Sequence, residues 1–331
     1  MNYYILCPWG ETGGPEGLHQ LCYELTNLGL NSRIVYYHPW SDRVESEHAG
    51  KICGRYNQYD GVKSHTPNHI SDLDDFSNVI ILPEICRTRH IEIFKKAKVV
   101  FLRLSNNTKE SAPDPINYDS LYDPIFQTCY TACDSSLIYK RIKDSEKYDM
   151  SKVFMLTPNI NLSHIRVENE LNNLRENVVL YNPSKGLNHI QKILETSKTF
   201  DINIDIEFFP LKGLSQDELK QKIYTSKLYI DFGHFPGKDR LSREAASGGC
   251  VVLLGKRGSG SDWDDFQVDE KIDWNESNDS FDYELICKNI IDMVERYNHY
   301  FEKQKQYREI IRNERSMYIE QVKNMISIIE S

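Results

Sequence analysis

Residues 3–37 read YYILCPWGETGGPEGLHQLCYELTNLGLNSRIVYY, and this pattern sets the fold class. Tyr3–Cys7 is apolar and aromatic, as a strand is. Gly10–Pro15 is a glycine-rich turn. Pro15 suits the first position of a helix, where the missing N–H costs nothing. Leu18, Leu21, Cys22 and Leu25 then recur at helical spacing. Gly29 is a stop signal, and Arg33–Tyr37 is a second strand pattern. Strand, helix and strand in succession make a βαβ unit, whose crossover requires parallel strands.

Downstream, His38–Ser77 is polar and irregular, a long excursion of the kind that often carries function. Alternation resumes with Asn78–Leu82 (strand), Thr88–Lys96 (helix), Ala97–Leu102 and Gln127–Ala132 (strands), Ser135–Lys143 (helix) and Lys152–Leu156 (strand). Asn161–Glu176 is polar and reads as a linker. A second series follows: strands at Asn177–Tyr181, Ile204–Phe208, Lys227–Asp231 and Cys250–Leu254, with helices at Gly186–Ser197, Ser215–Thr225 and Arg240–Ala246. Two such series predict an α/β protein of two doubly wound domains facing a cleft, residues 1–165 and 166–300. Residues 262–284 are rich in Asp and Glu and read as a solvated connection. Residues 301–331 form an amphipathic helix. Tyr307, Ile310, Ile311, Tyr318, Val322, Met325, Ile326 and Ile329 share one face, expected to pack back on the first domain.

Composition narrows the function classes. The 331 residues carry 40 Lys+Arg against 49 Asp+Glu, a net charge of −9. A dedicated duplex-binding protein would be basic, so no nucleic-acid partner is expected. The apolar runs Val79–Leu82, Val99–Leu102 and Cys250–Leu254 are far too short to span a bilayer. The N-terminus has no signal-peptide pattern. Eight cysteines without a CxxC pair read as reduced, buried thiols, which implies a cytoplasmic location. The basic run Arg87, Arg89, His90, Lys95, Lys96 and Lys98 reads first as a solvated helix face. It could also touch an anionic acceptor or the inner face of a membrane.

The stretch richest in chemistry is Leu228–Val252, LYIDFGHFPGKDRLSREAASGGCVV. A strand ends in a loop holding Gly233, His234, Pro236 and Gly237. A short helix begins after Asp239, a good N-cap. The helix N-terminus offers N–H groups and a positive dipole end suited to phosphate, and Lys238 and Arg240 add charge. Arg240 and Glu244 share a helix face, so an intrahelical ion pair competes with the ligand reading. This stretch resembles the donor element of GT-B glycosyltransferases of the family 4 type, in which a strand, a glycine loop, a Glu-Ala helix and a small-Gly-x-Val-Val strand form the nucleotide-sugar site. Glu244-Ala245, Gly248-Gly249 and Val251-Val252 carry the match. The resemblance implies that Glu244 holds the donor ribose. The family's second Glu falls at Pro236, a departure that bears on the sugar contact.

Two further stretches agree. Val178–Leu187 resembles the strand and Lys-Gly helix start of the family's second domain, which implies that Lys185 contacts the donor diphosphate. A solvent-exposed lysine is the alternative, although a cation at a helix N-terminus is easier to explain beside an anion. Gly13-Gly14-Pro15-Glu16-Gly17-Leu18-His19 resembles the family's first glycine loop, which faces donor phosphates and acceptor, although a plain strand-to-helix turn would look the same. Two Rossmann-like domains of the GT-B type are thereby implied.

The implied reaction moves a sugar from a nucleotide-diphosphate donor to a hydroxyl of a glycan, glycolipid or glycoprotein acceptor. Retention of configuration is expected, with no metal and no cofactor beyond the nucleotide sugar. Gly13, Gly14, Lys185, Gly237, Lys238, Arg240 and Glu244 are the donor-binding candidates. Glu16, His19 and His234 are the catalytic candidates. Asp231 is a further base candidate by position. The triplets Asp72-Leu73-Asp74 and Asp262-Trp263-Asp264 carry no metal signal, because 24 aspartates in 331 positions give about two such pairs by chance. A nucleotide-sugar epimerase of the same fold and a non-catalytic glycosyltransferase-like subunit remain as alternatives.

Overall fold

The computed structural model describes residues 1–38, 43–85, 88–104, 127–160, 175–200 and 205–331. Two units divide the chain, one of Met1–Asn159 with Arg315–Ser331 and one of Ile160–Glu314. The expected linker lies mostly outside the described residues. So do Arg87 and the side chains of Arg89 and His90 from the basic run.

The first unit runs β1 (Asn2–Cys7), α1 (Gly13–Asn27), β2 (Asn31–His38), β3 (Arg43–Val44), β4 (Asn78–Pro83), α2 (Thr88–Ile93), β5 (Lys98–Arg103), β6 (Tyr130–Cys133), α3 (Ser136–Asp144) and β7 (Val153–Met155). Its sheet has the order β3-β2-β1-β4-β5-β6-β7. All neighbours pair parallel except β3, which folds back antiparallel on β2. Strand alternation sends successive side chains to opposite faces. Tyr3, Ile5 and Cys7 join Leu18, Leu21 and Leu25 of α1 in one core layer, while Leu6 joins Val35, Ile80 and Leu82 in the other. Helix α1 starts earlier than its sequence implies: Thr12 is the N-cap residue. Gly13 and Gly14 therefore lie in the first turn, and Pro15 is the third helical residue, still among the N–H groups without an intrahelical partner. The excursion after β2 is packed over its described residues 43–77. It forms short 3₁₀ turns at Ser46–His48, Gly54–Gln58 and Ile70–Leu73 and buries Cys53, Tyr56 and Val62 in the α1 core layer.

The second unit runs β8 (Glu176–Tyr181), α4 (Pro183–Thr199), β9 (Glu207–Pro210), α5 (Gln216–Thr225), β10 (Ser226–Asp231), α6 (Arg240–Ser247), β11 (Val251–Lys256), β12 (Lys271–Asn275), β13 (Ser280–Phe281), α7 (Tyr283–Glu295) and α8 (Tyr297–Lys303), and then enters α9 (Lys305–Glu330). The sheet order is β13-β12-β11-β10-β8-β9, parallel except for the β12–β13 pair. Helix α4 begins ahead of its sequence expectation because Asn182 caps it and Pro183 fits its first turn. Residues 262–284 are not the solvated connection that their charge predicts. They include β12 and β13, and Phe266, Val268, Asp262 and Asp265 are all buried. The last helix is shared. Tyr307 and Ile311 belong to a core of the second unit, whereas Tyr318, Val322, Met325 and Ile329 belong to the α1 layer of the first. Every cysteine among the described residues is buried and outside any disulfide. Among the described residues no helix is long and apolar enough to cross a membrane.

Candidate functional site

In the second unit the chain order reverses between the neighbouring strands β8 and β10. In open α/β sheets ligands bind beyond the carboxyl ends of strands at such a reversal. The segments leaving these two strands carry most of the residues singled out from the sequence. Asn182, after β8, accepts from the Ser184 N–H at 3.0 Å and caps α4. Lys185 thus stands in the first helical turn, where the dipole disfavours a cation. Its ammonium forms an ion pair with the Asp239 carboxylate and lies 5.3 Å from the centre of the Phe235 ring. The lysine stem crosses the backbone at Gly233, where a Cβ would stand 2.6 Å from Lys185 Cβ and 3.1 Å from Asp231 Oδ1. Asp231 is buried and accepts from the Gly233 N–H at 2.9 Å and the Tyr229 hydroxyl at 3.0 Å. Burial pushes its pKa up to about 6, against the pull of the Lys185 charge. Burial also opposes the charge on Lys185, but Asp239 and Asp231 more than offset it and hold the ammonium above the usual lysine range.

The loop from β10 to α6 is anchored at both ends. Phe235 is fully buried, and its backbone pairs with the loop after β11: its N–H donates to the Arg257 carbonyl at 3.3 Å, and its carbonyl accepts from Ser259 N–H at 2.9 Å. Gly258 makes this approach possible. Its φ is +61°, and a Cβ would fall 2.2 Å from the Phe235 carbonyl oxygen. At the other end Asp239 Oδ1 accepts from the Leu241 N–H at 3.2 Å and caps α6. Arg243, 1% exposed, donates to the carbonyls of Asp239 (3.1 Å) and Lys238 (2.8 Å) and pairs with Glu314 at 2.7 Å. Lys238 was expected to add charge for a phosphate. Its ammonium pairs with Glu314 at 3.3 Å, beside the Arg243 contact. Arg240 and Glu244 form the intrahelical pair at 3.6 Å. His234 lies half-buried beside Gly258, and Gly237 is buried within the same loop.

The first unit has a reversal of its own between β1 and β4. The segment after β1 carries Gly13 and Gly14, but Glu16 and His19 are turned inward, 1% and 0% exposed. Glu16 pairs with Arg55 and accepts from the Tyr59 hydroxyl at 3.2 Å. His19 Nδ1 lies 2.7 Å from the Pro15 carbonyl, and Nε2 lies 2.8 Å from the Tyr36 hydroxyl. Burial lowers the His19 pKa to about 4, so the ring is neutral. Both side chains, expected as catalytic groups, are thus buried and bonded to residues around the glycine turn. The excursion completes the clamp: the Tyr56 hydroxyl donates to the Thr12 carbonyl at 2.8 Å, and the Arg55 N–H donates to Glu11 Oε1 at 3.2 Å. Arg55, Tyr56 and Tyr59 were missed from the sequence because their polar surroundings give no periodic signal.

No protein-family model matches the chain, and no curated protein matches it in sequence. Solved structures do match. The pneumococcal O-GlcNAc transferase GtfA in complex with UDP and GlcNAc gives a TM-score of 0.60 at 10% identity, over 97% of this chain and 99% of that one. HepE from Anabaena in complex with UDP-glucose gives 0.59 at 9% identity, over 98% and 99%. A glycosyltransferase from Rickettsia africae ESF-5 gives 0.52 at 12% identity, again over 98% and 99%. The chain has the GT-B fold. Within this GT-B chain, the Lys-Gly pair after β8 and the loop and helix after β10 are the segments that the sequence resemblance marked. Both stand at the reversal point of the second sheet.

Proposed function

We propose that the chain is a glycosyltransferase that moves a sugar from a nucleoside-diphosphate donor to a hydroxyl of a glycan, lipid-linked or protein acceptor. The observation that carries this reading is the convergence of Lys185, the Gly233–Asp239 loop and the Arg240–Glu244 face of α6 at the β8/β10 reversal point. The structural neighbours add support, since two of them were solved with UDP or a UDP-sugar.

In this reading the α6 N-terminus, Lys185 and Arg240 meet the diphosphate, and Glu244 meets the ribose. The chemical obstacle is the charge that builds on the departing diphosphate. Fixed cations and a helix dipole stabilise that charge, each contact contributing about 2–4 kcal/mol. Transfer proceeds with retention and without metal. In the first unit the contacts of Glu16, His19 and Arg55 hold the glycine turn that the resemblance assigns to donor phosphates and acceptor.

Pro236, in place of the family's second Glu, favours a second reading, a non-catalytic glycosyltransferase-like subunit. The experiment that separates the two is a thermal-shift panel of UDP, GDP, dTDP, ADP and CMP with wild type and Glu244→Ala, followed by donor turnover. A ligand at 100 times its Kd stabilises by about 2.7 kcal/mol. A diphosphate that shifts wild type but not a folded Glu244→Ala locates the donor site. Release of sugar from that donor, to acceptor or water, establishes the enzyme. Binding without turnover favours the subunit. Absence of any shift removes the donor reading.

A further inference from the structure

Lys185 is the cation best placed at the β8/β10 reversal, and it is already matched. Its ammonium sits on the Asp239 carboxylate, with Asp231 buried behind it. The two carboxylates are held differently. Asp231 is fixed from behind by the Gly233 N–H and the Tyr229 hydroxyl and is 3% exposed. Asp239 stands on the open side, its side chain 16% exposed, and is the N-cap of α6. It thus places an anion where two features suited to phosphate meet, a helix N-terminus and a lysine ammonium. A second anion cannot be added there without opposing the first, because like charges within a few ångströms repel strongly at the edge of a protein interior.

We propose that the Asp239 carboxylate is an internal counter-anion that competes with the donor diphosphate for Lys185: a nucleoside diphosphate binds by taking its place on the ammonium, and Asp239 recaptures the lysine when the diphosphate leaves. The inference rests on the donor reading above and adds to it a residue that weakens ground-state binding. Asp231 stays behind the lysine throughout and keeps it charged in both arrangements. Asp239 keeps its second task, since Oδ1 caps the Leu241 N–H while Oδ2 carries the pair. A carboxylate that only supported the fold would have no such effect on ligand release.

The test is direct because the expected change is a gain. Asn caps a helix as well as Asp does, so Asp239→Asn removes the competing charge and retains the cap. Asp239→Ser is a second neutral cap in case Asn distorts the loop. The nucleoside diphosphate that shifts wild type in the panel above is titrated calorimetrically into wild type, both Asp239 variants and Lys185→Met. Melting curves in its absence confirm that each is folded. The expected result is that Lys185→Met loses binding while both Asp239 variants bind about five- to tenfold tighter than wild type, with slower release. If Lys185→Met loses binding but the folded Asp239 variants bind equally or more weakly, the exchange is refuted and the donor reading stands. If no diphosphate binds wild type or any Asp239 variant, both fall together.

Discussion

At the scale of single residues, two buried titratable groups act on stability with opposite signs. Asp231 has a pKa of about 6 in the fold, above its ordinary 3.8, because burial penalises the carboxylate. The folded chain therefore holds this proton more tightly than the unfolded chain. Its contribution is whole below about pH 4 and is lost as pH rises through 6. Asp231→Asn keeps an acceptor for the Gly233 N–H and removes the charge. It should exceed wild type in stability by about 1–3 kcal/mol at pH 7.5 and by little at pH 4. Urea midpoints at the two pH values check this, and an Asn variant weaker than wild type at pH 7.5 would mean that pairing with Lys185 outweighs burial. His19 runs the other way. Its pKa falls to about 4 from the usual 6.5 through burial, so the unfolded chain binds the proton first. That contribution is present above pH 6.5 and is lost as pH falls towards 4. His19→Gln should flatten the acid limb of stability between those values, seen as a smaller loss of urea midpoint on acidification than in wild type.

At the scale of elements, the loops are held by specific backbone contacts, and one glycine decides the largest. Gly258→Ala would place a methyl group 2.2 Å from the Phe235 carbonyl oxygen at a φ of +61°. Neither backbone has slack, so the substitution should cost at least about 2 kcal/mol and dislodge the Gly233–Asp239 loop. Loss of nucleotide binding together with a lower Tm checks it, and unchanged binding would mean that the loop is ordered without the β11 contact. The same contacts show what the sequence could and could not reveal. Strands β1, β4, β8, β10 and β11 were legible because each is a short apolar run, α1 because Pro15 and apolar periodicity mark it, and α6 because Asp239 caps it; the caps of α1 and α4 were not read, and both helices start earlier than expected. Lys185 and Glu244 were singled out because the stretches around them resemble the family's donor segments. The Glu16–Arg55 pair, the Glu314–Arg243–Lys238 anchor and the Lys185–Asp239 pair were not. Each joins residues far apart in the chain, and a lone charged residue carries no mark of its partner. The acid-rich 262–284 segment misled for a related reason. Its buried Phe266, Val268, Ile272 and Phe281 are too sparse among the charges to form a period.

At the scale of the whole molecule, α9 ties the last residues of the chain to the first strand. Tyr318, Val322, Met325 and Ile329 are at most 1% exposed and share a core layer with Tyr3, Ile5, Val79 and Ile81. Polar contacts add to this packing: the Thr157 N–H donates to Gln321 Oε1 at 2.8 Å, and Arg315 pairs with Glu24 at 3.2 Å. Burying such a side chain contributes about 1.5–3 kcal/mol, so four of them approach the whole stability of an ordinary domain, about 5–15 kcal/mol. The second unit uses only the part of α9 before Arg315, through Tyr307, Ile311 and Glu314. A chain ending at Glu314 should therefore lose the cooperative structure of the first unit and retain that of the second. Hydrogen exchange followed by peptide analysis reads the two separately: β1 and β4 should exchange at unfolded rates while β8, β10 and β11 stay protected. Protection retained in β1 and β4 would show that the first sheet is self-sufficient and that the helix only covers it. Loss of protection in both sheets would show instead that the two units fold as one, with α9 as a shared element of a single cooperative structure.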